Sequence, residues 1–197
     1  MNTSHQLILA SRSPRRLALL REAGFDPVPR AADLDDGDLA PGSASPAAWV
    51  AALAYLKARR VRDTVPDGLI LGADTVVVKD GDIIGQPQNS RDARDAITRL
   101  RSGSHLVITG VALLSHHAPR LAMTDTARVE VGPISDRQID LYLESEEWRG
   151  KAGAYNLADR QQAGWPLVCH GDPATVMGLP LRRLAPILRE HLGSPVA

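Results

Sequence analysis

A single cysteine, Cys169, among 197 residues excludes an intramolecular disulfide framework and a multi-cysteine zinc site. Aromatic side chains are also scarce. One Phe, three Trp and three Tyr are too few for a stacking platform on single-stranded nucleic acid, so the interior must rest on Leu, Val, Ile and Ala. Charge of one sign is not in excess, because 23 Lys and Arg balance 23 Asp and Glu. Nucleic acid is therefore a disfavoured partner, and any basic patch must be local. No apolar run approaches the length of a membrane-spanning helix, and Met1-Asn2-Thr3-Ser4-His5-Gln6 lacks the basic start of an export signal. A cytoplasmic protein with no membrane contact is the expectation. Neither internal repeats nor low-complexity linkers occur, and the length suits one domain or two small lobes sharing a core.

What is present is concentrated first in residues 7–20. Leu7-Ile8-Leu9-Ala10 suits a buried strand, Ser13 can cap a helix through its hydroxyl, and Pro14 fits the first helical position, where its missing N–H is no loss. Gly24 offers the stop. The free N–H groups of that helix start, with Arg12, Arg15 and Arg16 crowded beside them, suit an anion. A solvated basic turn is the alternative.

Asp33-Leu34-Asp35-Asp36-Gly37-Asp38 is too acidic and aperiodic for core and reads as a loop, either solvated or one half of a metal-phosphate site. Ser45-Pro46 opens a second helix to about Val61, on which Trp49, Leu53 and Leu56 cluster. Lys57 falls between Leu53 and Val50 rather than on the polar side. It either snorkels or holds its ammonium at a site for phosphate or carboxylate. In Leu69-Ile70-Leu71-Gly72-Ala73-Asp74-Thr75-Val76-Val77-Val78, one carboxylate interrupts a strand that reads as buried on both faces. An unpaired ionised Asp74 would be strongly disfavoured there, so it requires a metal, a cation or an edge position.

Asp80-Gly81 marks a hairpin turn into Ile83-Ile84, and Gly85-Gln86-Pro87 leaves it. A third helix from Asn89 or Ser90 carries Ala93, Ala96, Ile97 and Leu100 inward. Leu106 to Leu114 and Ala127 to Val131 read as strands, Ser135 caps a helix carrying Ile139 and Tyr142, Trp165 to Val168 suits another strand, and Gly178-Leu179-Pro180 opens a last helix with Leu181, Leu184, Ile187, Leu188 and Leu192. The order is mixed α/β.

Several of these motifs in order make the chain resemble the Maf family of nucleoside triphosphate pyrophosphatases, historically called septum-formation inhibitors. The likeness rests on Ala10-Ser11-Arg12-Ser13-Pro14-Arg15-Arg16, Lys57-Ala58, Gly72-Ala73-Asp74-Thr75-Val76-Val77, Ser102-Gly103 with His105, Thr109-Gly110-Val111, Lys151-Ala152-Gly153-Ala154-Tyr155 and Gly178-Leu179-Pro180-Leu181. It implies a single Maf-like domain over residues 1–197. The implied fold is α/β, a long mixed sheet flanked by helices, with two lobes and a central cleft, in the broad group of the inosine-triphosphate pyrophosphatases. The implied activity is hydrolysis of a nucleoside triphosphate to the monophosphate and pyrophosphate, by a cytoplasmic homodimer using a divalent cation, Mg2+ or Mn2+. Matched by position, Asp74 and Lys57 are catalytic, and Ser11, Ser13, Arg15, Arg16, Thr75 and Gln86 bind substrate. Arg15 and Thr75 also match positions used in selecting the base. Asp74 with Asp36, or with Asp35, would hold the ion; proton acceptor and metal ligand are not separable for Asp74 by sequence.

Three departures from the pattern carry expectations. Asp35-Asp36 stands where the family's loop usually ends in Glu, shortening the reach by about one methylene. Gln86 replaces a lysine, removing one phosphate cation and implying altered triphosphate binding. Leu157-Ala158-Asp159 replaces the Ile-Gln-Gly of the thymidine- and uridine-triphosphate branch, while Asp172-Pro173 resembles the 7-methylguanosine branch, so the base stays open between them. A nucleotide-binding regulator of division or growth with little turnover is the alternative function.

Overall fold

In the computed structural model, residues 6–34, 39–116 and 120–193 are described. Along them run β1 (Leu7–Ala10), α1 (Pro14–Glu22), β2 (Val28–Pro29), α2 (Pro46–Arg62), β3 (Leu69–Lys79), β4 (Asp82–Ile84), α3 (Ser90–Leu100), β5 (Gly103–Leu114), β6 (Leu121–Val131), α4 (Asp136–Glu144), α5 (Leu157–Gln162), β7 (Leu167–His170), α6 (Pro173–Val176) and α7 (Leu181–Leu192). A 3-10 turn occupies Ala152–Ala154. The seven strands form one sheet in the order β2-β1-β3-β5-β6-β7, with β4 also on β3. Pairing is parallel for β1 with β2 and β3, and antiparallel for β4 with β3 and β7 with β6. The sheet is therefore mixed and flanked by helices, as the α/β reading expects.

The chain divides into two compact units, and the division falls inside β3, β5 and β6. The first takes Met1–Asp74, Thr109–Asp125 and Gly178–Ala197. Its central cluster is aliphatic, with Ile8, Ala10, Ala54, Ala58, Val61, Ile70, Ala112 and Leu114 among its buried members. Helix α2 starts as the sequence indicates, with the Ser45 hydroxyl accepting from the Ala48 N–H and Pro46 in the first turn. Its buried face differs from the expected one. Val50, Leu53, Ala54, Ala58 and Val61 point inward, whereas Leu56 is exposed and Trp49 only half-buried. The reason is backbone proximity. A Cβ at Gly72 would lie 2.1 Å from the Ala54 carbonyl oxygen, and one at Gly110 would lie 2.6 Å from that of Val50. A helix this close to its strands must turn its smallest side chains to the contact, which rotates the large Trp49 and Leu56 aside.

The second unit takes Thr75–Ile108 and Thr126–Met177. Its cluster includes Tyr142, Trp148, Tyr155 and Trp165 beside aliphatic residues. Helix α3 buries the predicted Ala93, Ala96, Ile97 and Leu100, and α4 starts with a capping box between Ser135 and Gln138. Helices α5 and α6 escaped the hydrophobic pattern, being six and four residues long. Their caps were readable: the Asn156 side chain accepts from the Ala158 N–H, and the Asp172 side chain from the Ala174 N–H, with Pro173 next.

Candidate active site

Strand β1 pairs with β3 from Leu7 beside Leu69 to Ala10 beside Gly72, and there it stops while β3 continues. Asp74 thus lies beyond the last β1 partner. Positions 72 and 74 share one face of the strand, because side chains alternate. That face meets α2: position 72 abuts Ala54 and Ala58, and the neighbour of Ala58, Lys57, extends its ammonium to Asp74. Lys57 Nζ donates to Asp74 Oδ1 at 2.7 Å, with the two side chains only 14% and 12% exposed. The requirement that the sequence placed on Asp74 is met by a cation. A pair so enclosed offers little net stability over an apolar substitute, yet breaking it by removing one partner costs roughly 3–5 kcal/mol. Such a pair is weak evidence for stability and better evidence for a chemical use.

The turn after β1 is built as its residues indicate. The Ser13 hydroxyl caps α1, accepting from the Arg16 N–H at 3.5 Å, and the Ser13 N–H donates to Ser11 Oγ at 3.1 Å. Arg16 folds back over this turn, Nη1 donating to Ser11 Oγ at 3.3 Å and Nε to the Gly178 carbonyl at 3.0 Å. The segment before α7 therefore orients the guanidinium, a role for Gly178 that local pattern could not reveal. Ser11, Ser13, Arg15 and Arg16 are all half-buried. Arg12 leaves the group: it is exposed and pairs with Asp33 at 2.5 Å. The first unit thus brings Ser11, Ser13 and Arg16 together, and separately Lys57 with Asp74.

Thr75 follows Asp74 on β3 and is half-buried, while Gln86 is exposed just after β4. The Gly85 carbonyl, one residue before Gln86, accepts from the Gly153 N–H at 3.1 Å. Lys151, at the start of the same turn, holds Asp159 at 3.3 Å, its side chain 12% exposed. Asp159 is one of the three residues by which this chain departs from the pyrimidine branch, so the departure brings a carboxylate to Lys151.

Sequence reasoning missed the roles of His105 and Tyr155. They meet through His105 Nε2 and the Tyr155 hydroxyl at 2.7 Å, edge to face, both buried. Burial, and secondarily the charge of Lys79, lowers the His105 pKa to about 4, while burial raises that of the Tyr155 hydroxyl. Both are neutral at pH 7. In the sequence both stood only among the motifs that carry the family likeness, with no role attached.

Asp36, and with it Asp35, lies outside the described residues. Among the described residues no group of three His, Cys, Asp or Glu is arranged to enclose a metal ion. The donor present, the buried carboxylate of Asp74, fits a hard cation that takes one or two carboxylates from protein and the remaining oxygens from substrate phosphates and water, the usual manner of Mg2+.

Compared with known proteins, the chain matches the family described as Maf-like protein over residues 6–191. A dTTP/UTP pyrophosphatase from Salinibacter ruber is 42% identical over 190 residues, covering 96% of this chain and 92% of its own. Another, from Symbiobacterium thermophilum, is 41% identical over 191 residues, covering 97% and 96%. Among solved structures, a HAM1 protein from Coxiella burnetii aligns over 94% of this chain and 99% of its own with a TM-score of 0.53. At 14% identity that likeness concerns the fold alone.

Proposed function

Because the chain belongs to the Maf-like protein family, we propose that it is a nucleoside triphosphate pyrophosphatase that hydrolyses a pyrimidine triphosphate, dTTP or UTP, to the monophosphate and pyrophosphate. The observation that carries the reading is the buried Lys57–Asp74 pair, its carboxylate on β3 beside β1, the strand that feeds the arginine turn. In the reaction, water attacks the α phosphorus, the bond from that phosphorus to the α–β bridging oxygen breaks, and pyrophosphate departs with the bridging oxygen.

Asp74 accepts the proton of the attacking water at a carboxylate oxygen, and Lys57 orients that carboxylate. Arg15 and Arg16, at the positive end of the α1 dipole, hold the negative charge that gathers on the departing oxygens. Ser11 and Ser13 set the turn, and Thr75 and Gln86 bind substrate. A divalent cation, Mg2+ or Mn2+, held by Asp74 together with Asp36, would neutralise phosphate oxygens and polarise the α phosphorus. The names of the relatives favour a pyrimidine over 7-methylguanosine despite Leu157-Ala158-Asp159. A cytoplasmic homodimer completes the proposal, in keeping with the lack, among the described residues, of any helix long and apolar enough to cross a membrane.

The test is pyrophosphate release from a panel of dTTP, UTP, 7-methylguanosine triphosphate and the purine triphosphates, with Mg2+ or Mn2+. Preferential release from dTTP or UTP is expected. Tight binding of a triphosphate without release would instead support the regulator, a reading for which the neutral Gln86 and the Lys151–Asp159 pair speak.

A further inference from the structure

The segment 150–156 is held in an unfavourable shape. Gly153 and Ala154 lie consecutively in the left-handed region, with φ of 67° and 65°. Glycine tolerates this and alanine does not, so surroundings must impose it. Three contacts do so. The Tyr142 hydroxyl donates to the Ala154 carbonyl at 2.8 Å, the Gly153 N–H donates to the Gly85 carbonyl at 3.1 Å, and the Tyr155 hydroxyl meets His105 Nε2 at 2.7 Å. Gly153 also fits where a Cβ would come within 2.8 Å of a Val77 methyl.

The direction of the last bond follows from satisfying the buried atoms. If imidazole donated from Nε2, both Nδ1 and the hydroxyl hydrogen of Tyr155 would lack a described partner; if Tyr155 donates, only Nδ1 does. Tyr155 therefore donates to a neutral His105. This single bond fixes the carboxyl end of the segment against β5, while Gly153 fixes its middle to the residue before Gln86.

Resting on the pyrophosphatase reading, we propose that His105 and Tyr155 are positioning residues: their hydrogen bond holds the 150–156 segment so that Gly153 anchors Gly85 and fixes the backbone that carries Gln86, a proposed substrate-binding residue. Neither touches substrate. Their effect belongs in substrate binding, because the residue they set, Gln86, is proposed to bind substrate and not to take part in the chemical step.

Tyr155→Phe keeps the ring and removes only the hydroxyl. With dTTP it is expected to raise KM by about fivefold, the worth of one hydrogen bond, with kcat little changed. Gln86→Ala supplies the second arm. If Tyr155 acts through Gln86, the double variant has the KM of Gln86→Ala alone; multiplying effects, or an unchanged KM in Tyr155→Phe, overturn the proposal. Should Tyr155→Phe fail to fold, His105→Gln retains an acceptor and is expected to stay near the wild-type KM, whereas His105→Phe reproduces the loss. Amide hydrogen exchange at Gly153 reads the same link without turnover: lost protection in Tyr155→Phe, with β5 amides still protected, is expected, and retained protection rejects the anchor. A wild-type protein releasing no pyrophosphate removes the functional reading, and the exchange measurement then decides the anchor on its own.

Discussion

The first unit buries its charges as a pair, Lys57 against Asp74, amid Ala, Val, Ile and Leu, on a helix pressed against glycine. The second also encloses a cation, Lys151, against a half-exposed Asp159, but what ties its core is neutral: the Tyr142 hydroxyl to the Ala154 carbonyl, the Trp148 indole to the Leu143 carbonyl, and the Tyr155 hydroxyl to the His105 ring. Tyr142 and Trp165 meet edge to face at 5.1 Å, with Arg160 over the Tyr142 ring. Close backbone packing gives a rigid frame in which a charge pair can be held dry for chemistry. Hydrogen-bonded aromatics instead fix the shape of a loop that would otherwise relax. The contrast teaches that the two halves should fail differently when disturbed.

The largest failure should come from Asp74→Asn, which keeps size and position but cannot take a proton. Turnover is expected to drop about 10²–10⁴-fold with the fold intact by circular dichroism, and wild-type rates would remove Asp74 from the reaction. Lys57→Met tests the same pair through stability. Removing the Lys57 ammonium from beside Asp74 should cost about 3–5 kcal/mol in urea unfolding, and a neutral result would mean that the pair is not coupled to stability. Gly72→Ala puts a methyl group into the backbone of α2 and should destabilise by about 1–3 kcal/mol, while the same change at exposed Gly85, with no atom within 4 Å of its would-be Cβ, should be far milder.

In the second unit the corresponding lever is pH. His105 binds its proton more weakly when folded, with a pKa of about 4 against 6.5, so the unfolded chain takes up protons first as pH falls. The stability from keeping this imidazole neutral is fully present above about pH 6.5 and is lost progressively toward pH 4. At pH 5 the loss should approach about 2 kcal/mol, and His105→Gln should flatten that slope in unfolding titrations. The smallest effect is expected for Arg12→Ala. Its pair with Asp33 is roughly three-quarters exposed on both sides, and stability should change by less than about 1 kcal/mol.

Much of this was written locally. Ser13-Pro14, Ser45-Pro46 and Ser135 mark helix starts because a capping hydroxyl and a fixed proline φ act over three or four residues. Asp74 stood out because a carboxylate in an apolar strand violates the pattern around it. The face of α2 was misread because hydrophobicity ranks Trp49 and Leu56 above Ala54 and Ala58, and only the approach of Gly72 and Gly110 reverses that order. Helices α5 and α6 were too short to show a period.

By itself, then, the sequence determined the alternation of strands and helices, the arginine turn, the demand of Asp74 for a counter-charge and the family likeness, since each rests on neighbours in the chain or on motifs in order. Tertiary structure alone decided that Lys57 meets that demand, that Gly178 helps to orient Arg16, that Arg12 turns away to Asp33, and that His105 meets Tyr155. These contacts join residues between 17 and 162 positions apart. Hydrogen-bond geometry at such separations is fixed by packing, and packing has no local signature.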